Sequence, residues 1–341
     1  KAQRRGGSAI DAALIDGGWV VWSEDRAGQS DLFARNLATG VEQRLTNSAQ
    51  PETLGNLEEG FVTWEEIRDP SYAIDVFAYD LATGVEIQVS PADLGIDEFQ
   101  PHTDGTTVVY TANASPPDVY AFDLVAQSST PVATSTTATE IAMGVSGDFM
   151  VMLISTGVDP TLVRERISDG NRVAFATIAG VHEIGGDYVL FSDLGGLNAY
   201  RFSTGAVVNV AAEWVETDLA DGVVAWTAPN LATSSDDVYT KVLPAGAVTQ
   251  VTATTGDEYE PAFLGAGVAW GADDATGLRQ GLFSADGGAT VELASYGMIP
   301  LSDVVANYDV AIVSHEAAPL FRAATIDALS ITPRPWLTSL A

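Results

Sequence analysis

The chain has 341 residues, in which 15 Lys and Arg residues oppose 46 Asp and Glu residues, for a formal net charge of −31. A protein of this charge repels phosphate backbones, and its scattered arginines form no basic stripe, so we expect no binding to nucleic acid. The absence of cysteine excludes disulfides and thiolate metal sites, and no apolar run approaches the roughly 18 residues that cross a bilayer.

A short phrase recurs along the chain. Residues 31–40 read DLFARNLATG, residues 75–84 read DVFAYDLATG, and residues 118–124 read DVYAFDL. Each phrase follows an apolar strand, and the anchor positions of these strands are Trp22, Trp64, Tyr110, Met152, Phe191, Trp226, Trp270 and Val313. Repeats of about 40 to 45 residues with four short strands each are typical of propeller blades.

Turn signals divide each unit into four strands. Asp-Gly pairs at 16–17, 104–105 and 221–222 favour tight hairpins, and Ala-Thr-Gly at 38–40 and 82–84 marks a second turn in the unit. Residues 75–80 alternate between two faces, as in a strand that packs between neighbouring blades. Helical periodicity is weak throughout, so the sequence predicts an all-β protein.

We therefore predict a single β-propeller of four-stranded blades. Eight units give eight blades, with seven as the alternative if the unit at Met152 or at Val313 is degenerate. Residues 11–336 form the propeller in this interpretation, residues 1–10 are an N-terminal extension or extra edge strand, and residues 337–341 are a C-terminal tail. Pro333 and Pro335 would then lie in the exposed outer strand of the last blade, where a missing N–H donor does no harm.

The repeat resembles the TolB-type propeller repeat, which is related to WD40 repeats. The resemblance is carried by the recurring Asp-[Leu/Val]-[Phe/Tyr]-Ala phrase, by Leu45-Thr46, and by the inner-strand sequences Gln50-Pro51-Glu52, Gln100-Pro101-His102 and Glu260-Pro261. It covers nearly the whole chain and implies a propeller fold. Such repeats serve in periplasmic scaffolds, in peptidase gating domains and in some lyases, so the resemblance specifies the fold more than the function.

The innermost strands of a propeller surround its central channel, so residues near the start of each unit's first strand are candidate channel residues. These are Asp11, Glu52, His102, Glu140, His182, Glu183, Glu216, Asp218, Glu260 and Asp303. Carboxylates and imidazoles are ordinary ligands of divalent cations, so a calcium site would use His102, Glu183 and Asp218. We favour the alternative, a water-filled channel without a cofactor.

No residue is assigned a catalytic role, because a Gly-x-Ser-x-Gly nucleophile motif is missing from the sequence. The main hypothesis is a non-enzymatic binding or scaffold module that recognises a protein or glycan partner through one propeller face. We expect an exported bacterial protein, extracellular or periplasmic, whose signal segment is not part of the chain that begins at Lys1. The alternatives are a channel-site enzyme, such as a metal-assisted polysaccharide lyase or glycosidase, and the gating propeller of a larger enzyme.

Overall fold

The computed structural model describes residues 10–296 except 17, 26–29, 51, 69–72, 92–94, 158, 178, 221, 265–266, 274–278 and 286–289, together with residues 326–327 and 330–331. These residues form strands, turns and bends. A helix long and apolar enough to cross a membrane is not found among them.

Seven four-stranded sheets follow one another along the chain. Blade 1 comprises β1 (Ile10–Asp16), β2 (Trp19–Asp25), β3 (Ser30–Asn36) and β4 (Glu42–Arg44), and blade 2 comprises β5 (Thr53–Glu58), β6 (Phe61–Glu66), β7 (Asp75–Asp80) and β8 (Val85–Gln88). Blade 3 comprises β9 (Glu98–Thr103), β10 (Thr107–Ala112), β11 (Asp118–Asp123) and β12 (Ser128–Ala133). Blade 4 comprises β13 (Thr139–Ser146), β14 (Phe149–Ser155), β15 (Thr161–Arg166) and β16 (Asn171–Thr177).

Blade 5 comprises β17 (Gly180–Gly185), β18 (Tyr188–Asp193), β19 (Gly196–Arg201) and β20 (Val207–Ala211). Blade 6 comprises β21 (Thr217–Ala220), β22 (Val223–Asn230), β23 (Ser235–Val242) and β24 (Val248–Gln250). Blade 7 comprises β25 (Glu258–Leu264), β26 (Gly267–Asp273), β27 (Arg279–Ala285) and β28 (Val291–Tyr296). A separate two-stranded hairpin pairs β29 (Ile326–Asp327) with β30 (Ser330–Ile331).

Within each blade the strands lie in sequence order and each is antiparallel to the next. The turns between first and second strands lie beside the turns that follow third strands, because Leu81 N donates to Gly60 O at 3.0 Å and Leu243 N donates to Gly222 O at 2.8 Å. We call the side with these turns the hairpin face. The opposite side, which carries the turns between second and third strands and the connections between blades, is the loop face.

The core lies at the seams between blades. The second strands supply its largest side chains, and Trp22, Trp64 and Trp270 are all buried. Two of these rings stack on an aromatic ring of the third strand, with centroid distances of 5.9 Å for Trp22–Phe33 and 5.7 Å for Trp64–Phe77. The recurring tryptophans therefore fix the blades in place through packing.

The innermost strands are irregular. Six of the seven first strands show a register shift against the second strand, and Gln100 and Glu260 adopt φ values of 54° and 50° at two of these bulges. A bulge changes which side chains face a given side of a strand. The orientation of each inner-strand residue is therefore set by its own blade and not by a uniform alternation.

The predicted propeller of four-stranded blades is confirmed, but the predicted number of eight blades is wrong, since the described residues form seven. The seventh blade ends at Tyr296. The eighth unit rested on short apolar runs at 310–313 and 320–323 that lacked an Asp-initiated third strand and a glycine turn, and those runs lie outside the described residues. Residues 1–9, Pro333, Pro335 and the tail 337–341 also lie outside them.

Candidate functional site

Three predicted channel residues occupy the same position in their blades. His102 in β9, Glu183 in β17 and Asp218 in β21 pair with Val109, Leu190 and Ala225, and each of these partners directly precedes the anchor residue of its second strand. The equivalence follows from strand pairing and holds despite the bulges. Blades 3, 5 and 6 thus place an imidazole and two carboxyl groups at one level of the innermost strands.

Glu183 and Asp218 form a hydrogen-bonded carboxyl pair between blades 5 and 6. Burial raises the pKa of Glu183 well above its usual range, and repulsion by Asp218 raises it further. Burial also raises the pKa of Asp218, but the hydrogen bond from Glu183 opposes that rise. Both shifts favour a proton kept within the pair, and the opposite contributions of the shared hydrogen bond favour Glu183 as the group that holds it.

Backbone amides hold Asp218 in this geometry. Phe263 N of the next blade donates to Asp218 Oδ2 at 2.5 Å, and Leu219 N donates to Asp218 Oδ1 at 3.0 Å. Bonds to a carboxylate from N–H donors favour its charged form. The pair is consequently one neutral acid beside one anchored carboxylate.

Glu58, at the end of β5, is a channel residue that the sequence analysis missed. Its pKa is raised to about 7, mainly by burial and then by repulsion from Asp16, Glu59 and Asp104. Its charge also raises the pKa of Glu183, which belongs to a blade three places further around the ring. The carboxyl groups of Glu58 in blade 2 and Glu183 in blade 5 are therefore near enough to interact electrostatically.

The two inner-strand histidines have different surroundings. Burial lowers the pKa of His102 to about 4, so its ring is neutral, and among the described residues no hydrogen-bond partner of this ring is found. His182 lies exposed towards the loop face, where its Nε2 is 2.7 Å from Ser192 Oγ and its ring centroid is 4.3 Å from that of Trp214. Of these two histidines, only His102 occupies the strand position that corresponds to Glu183 and Asp218.

Glu52 and Glu140 are buried at seams between blades. Glu52 has a pKa raised to about 7, first by burial and then by repulsion from Glu66. Glu140 accepts a bond from Ser135 N at 2.8 Å and lies 3.5 Å from an Arg172 nitrogen. The structure does not bring these two glutamates together with the carboxyl pair.

The remaining predicted residues are placed as follows. Glu216 and Glu260 meet each other, since Glu260 N donates to the Glu216 carboxylate. Asp11 belongs to β1, and Asp303 lies outside the described residues. In the part of the chain that the structure describes, no group of three or more His, Asp or Glu side chains is arranged to hold a metal ion. The suggested set of His102, Glu183 and Asp218 therefore does not form such a group.

The arrangement supports proton storage and the attraction of cations more readily than nucleophilic chemistry. A carboxyl that keeps its proton at neutral pH can release it when a positive group approaches, because the new charge stabilises the ionised form. Glu58 and the Glu183–Asp218 pair supply such groups from opposite sides of the channel.

No family model and no curated protein matches this sequence. Solved structures do match. A prolyl endopeptidase, studied for the role of inter-domain dynamics in catalysis and specificity, is 14% identical with a TM-score of 0.58, over 85% of this chain and 50% of that one. The β-propeller domain of the Trilobed protease from Pyrococcus furiosus is 13% identical with a TM-score of 0.55, over 86% of this chain and 99% of that one.

A putative TolB from Agrobacterium tumefaciens also matches, with 16% identity and a TM-score of 0.37, over 47% of this chain and 62% of that one. The two matches with TM-scores above 0.5 show a shared fold, and the propeller implied by the TolB-type repeat is present in the described residues. This chain spans half the length of the prolyl endopeptidase that it matches.

The comparisons overturn the prediction of a non-enzymatic binding or scaffold module. Of the two matches with TM-scores above 0.5 described above, one is a prolyl endopeptidase and the other is the β-propeller domain of a protease. They favour the alternative that the sequence left open, in which the propeller belongs to an enzyme. The prediction was wrong because the repeat specifies the blade and carries no signal of the domains that propellers accompany.

Proposed function

We propose that this chain is the propeller of a peptidase-type enzyme and that its channel restricts which polypeptides reach the catalytic centre. The similarity to peptidase propellers over about 85% of the chain supports the assignment to this class. Since the sequence contains no Gly-x-Ser-x-Gly motif, the proposal places peptide-bond cleavage on a separate domain or subunit.

The observation that carries the gating role is the approach of Glu58 to Glu183 from blades on opposite sides of the channel. Together with His102 and Asp218, these side chains fill the channel with polar, titratable groups. We expect a channel lined in this way to admit an extended polypeptide and to exclude a folded protein. The carboxyl groups also favour segments that carry positive charge.

The test uses the native enzyme that carries this propeller and two fluorogenic substrates. One is an eight-residue peptide with two lysines, and the other is a short ester that needs no passage through a channel. We expect Glu183→Gln combined with Asp218→Asn to lower kcat/KM for the peptide by about tenfold and to leave the ester unchanged, because the change removes the carboxyl pair of the channel and no group that the ester needs.

Asp159→Asn is the matched control, since Asp159 is exposed on the loop between β14 and β15. It removes one charge without touching the channel, and both substrates should keep their wild-type rates. A native enzyme without any peptidase activity would refute the proposed class. An equal loss for peptide and ester would refute the gating role.

We also propose that the enzyme acts outside the cytoplasm, in the periplasm or the medium. This location agrees with the periplasmic role of TolB-type repeats. Fractionation of native cells, with peptidase activity and immunodetection of this propeller followed together, tests it. Recovery of both in the cytoplasmic fraction would contradict the proposal.

A further inference from the structure

Two leucines protrude from the loop face on neighbouring blades. Leu194 is 95% exposed in the turn between β18 and β19, and Leu231 is 93% exposed in the turn between β22 and β23. Between them runs the connection from blade 5 to blade 6, which presents the half-buried Trp214 and Val215, 49% exposed. We call these four residues the leucine patch.

Contacts of neighbouring groups place the four residues on the same face of adjacent blades. The Trp214 ring contacts His182, and His182 bonds Ser192, which lies two residues before Leu194. On the other side, Val215 N donates to Thr227 O at 2.8 Å, and the strand that holds Thr227 continues into the turn of Leu231. The four residues therefore lie on one face of two adjacent blades, 5 and 6.

Both turns are ordered by their own hydrogen bonds. Asp193 Oδ1 accepts from Gly195 N at 2.7 Å and from Asn198 Nδ2 at 3.0 Å. Asn230 accepts from Ala232 N at 3.0 Å through its side chain and from Ser234 N at 2.8 Å through its carbonyl. The leucines are thus held in solvent by well-formed turns, and two highly exposed leucines on neighbouring blades beside a half-buried tryptophan mark a candidate interaction site.

The surroundings of the patch are acidic. Residues 202–240, which include Trp214, Val215 and Leu231, contain no Lys or Arg. Asp193, Glu213 and Asp257 are exposed around the patch. Lys241 follows this stretch, but it donates to Asn209 O at the outer edge of the sheets. An apolar centre with an acidic rim is complementary to a partner that is apolar and basic.

We propose that the leucine patch binds an extended polypeptide segment in which apolar residues alternate with Lys or Arg. An extended segment places alternate side chains on opposite sides, so its apolar side chains cover the leucines and its basic ones reach the acidic rim. The same blades 5 and 6 supply Glu183 and Asp218 to the channel. That this segment is the substrate on its way into the channel rests on the proposed function.

The test measures binding of a fluorescein-labelled Leu-Arg-Leu-Arg-Leu-Arg peptide to the full chain by fluorescence anisotropy. We expect Leu194→Ser combined with Leu231→Ser to raise Kd by about tenfold or more, because two apolar contacts are lost. Val41→Ser combined with Val125→Ser is the control. These valines are 60% and 88% exposed on the hairpin face, so this variant should bind as the wild type does.

Two further peptides separate this proposal from attraction by net charge alone. A Ser-Arg-Ser-Arg-Ser-Arg peptide keeps the charge without the apolar side chains, and a Leu-Glu-Leu-Glu-Leu-Glu peptide keeps the apolar side chains with the opposite charge. Both should bind at least about tenfold more weakly than the first peptide. Equal binding of the serine peptide, or equal loss in the valine variant, would overturn the proposal.

The patch could instead contact a second copy of this chain, and sedimentation distinguishes the two cases. A dimer that dissociates in the leucine variant and competes with the peptide would overturn the proposal, whereas a monomer that binds the peptide supports it. Because binding is measured without catalysis, a failure here leaves the peptidase assays of the proposed function unaffected. Conversely, peptide binding without peptidase activity would refute only the proposed function.

Discussion

Two glycines at the same turn position have different roles. Gly105 and Gly147 both lie between the first and second strands of their blades, with φ values of 83° and 56°. A Cβ on Gly105 would lie 2.4 Å from the Glu59 Cβ of the neighbouring blade, whereas a Cβ on Gly147 would meet no atom within 4 Å. One glycine therefore permits contact between blades, and the other permits only the turn.

This difference predicts unequal effects of alanine. Gly147→Ala should lower the free energy of unfolding by about 1 to 2 kcal/mol, the usual strain of a left-handed L-residue. Gly105→Ala should lower it by more, because the hairpin of β5 and β6 must also move. Urea denaturation of both variants measures the difference. Equal losses would show that the contact between blades does not constrain this turn.

The carboxyl pair gives a second prediction at the scale of single residues. The infrared spectrum at pH 7 should contain the band of a protonated carboxyl, and Glu183→Gln should remove the contribution of Glu183. Asp218→Asn should lower the pKa of Glu183 only in part, because burial, the larger cause, remains.

The infrared spectrum of Glu213→Gln is the control, since Glu213 is exposed. The protonated-carboxyl band of this variant at pH 7 should match that of the wild type. If Glu183→Gln also left the spectrum unchanged, the proton would not reside on Glu183.

At the scale of the strand, a hydroxyl after the fourth strand repeatedly anchors the start of the third. Thr46 Oγ1 accepts from Leu32 N at 2.9 Å, Ser90 Oγ accepts from Val76 N at 2.9 Å, and Thr252 Oγ1 accepts from Val238 N at 2.8 Å. This bond explains the Leu-Thr, Val-Ser and Val-Thr pairs of the repeat. The motif is structural, and blades 1, 2 and 6 share it.

A buried glutamate lies near two of these hydroxyls. Glu258 accepts from Thr252 at 3.0 Å, and Thr46 lies near enough to Glu52 to counteract a small part of the rise in its pKa. Burial raises the pKa of both glutamates to about 7. The folded state therefore binds protons that the unfolded state has already released above pH 4.5.

The free energy of unfolding therefore depends on pH. Stability from a raised carboxyl pKa is fully present below about pH 4.5 and is lost as the pH rises to about 7, so the free energy of unfolding should fall over this range. The Gln side chain of the Glu52→Gln variant stays neutral at every pH. Its free energy of unfolding should therefore fall by about 1 to 3 kcal/mol less than that of the wild type over this range. Urea denaturation at pH 5 and pH 8 measures the free energy of unfolding of both proteins, and Glu213→Gln is the control. A wild type that gains stability towards pH 8 would contradict the assignment.

The repeat made the strands predictable, but not the direction of each inner side chain. The phrases at 31–40 and 75–84 gave the third strands and their turns correctly, because hairpin signals are local in sequence. Glu52, Glu140, Glu183 and Asp218 were treated as equivalent, yet the first two are buried at seams. The bulges shift the alternation by one residue in most blades, and their positions are set by tertiary contacts. Glu58 was missed because it ends its strand.

At the scale of the whole molecule, charge is unevenly distributed. Between Arg68 and Arg164 there is no basic residue, while 13 acidic residues lie between them. Several of the acids in the interior keep their protons near neutral pH, so the net repulsion in the channel is smaller than a count of carboxyl groups suggests. Repulsion is consequently strongest on the outer surface, where dissolved salt can screen it.

This distribution leads to a prediction about calcium. Millimolar calcium and millimolar magnesium should raise the Tm equally and by a small amount, because both screen the surface and the described residues form no metal-binding group. A specific channel site would instead give calcium an additional rise that grows with concentration by mass action. Differential scanning calorimetry with each chloride measures the difference, and Glu183→Gln combined with His102→Ala tests its origin. A calcium-specific rise that this double variant abolishes would show that the channel binds the ion.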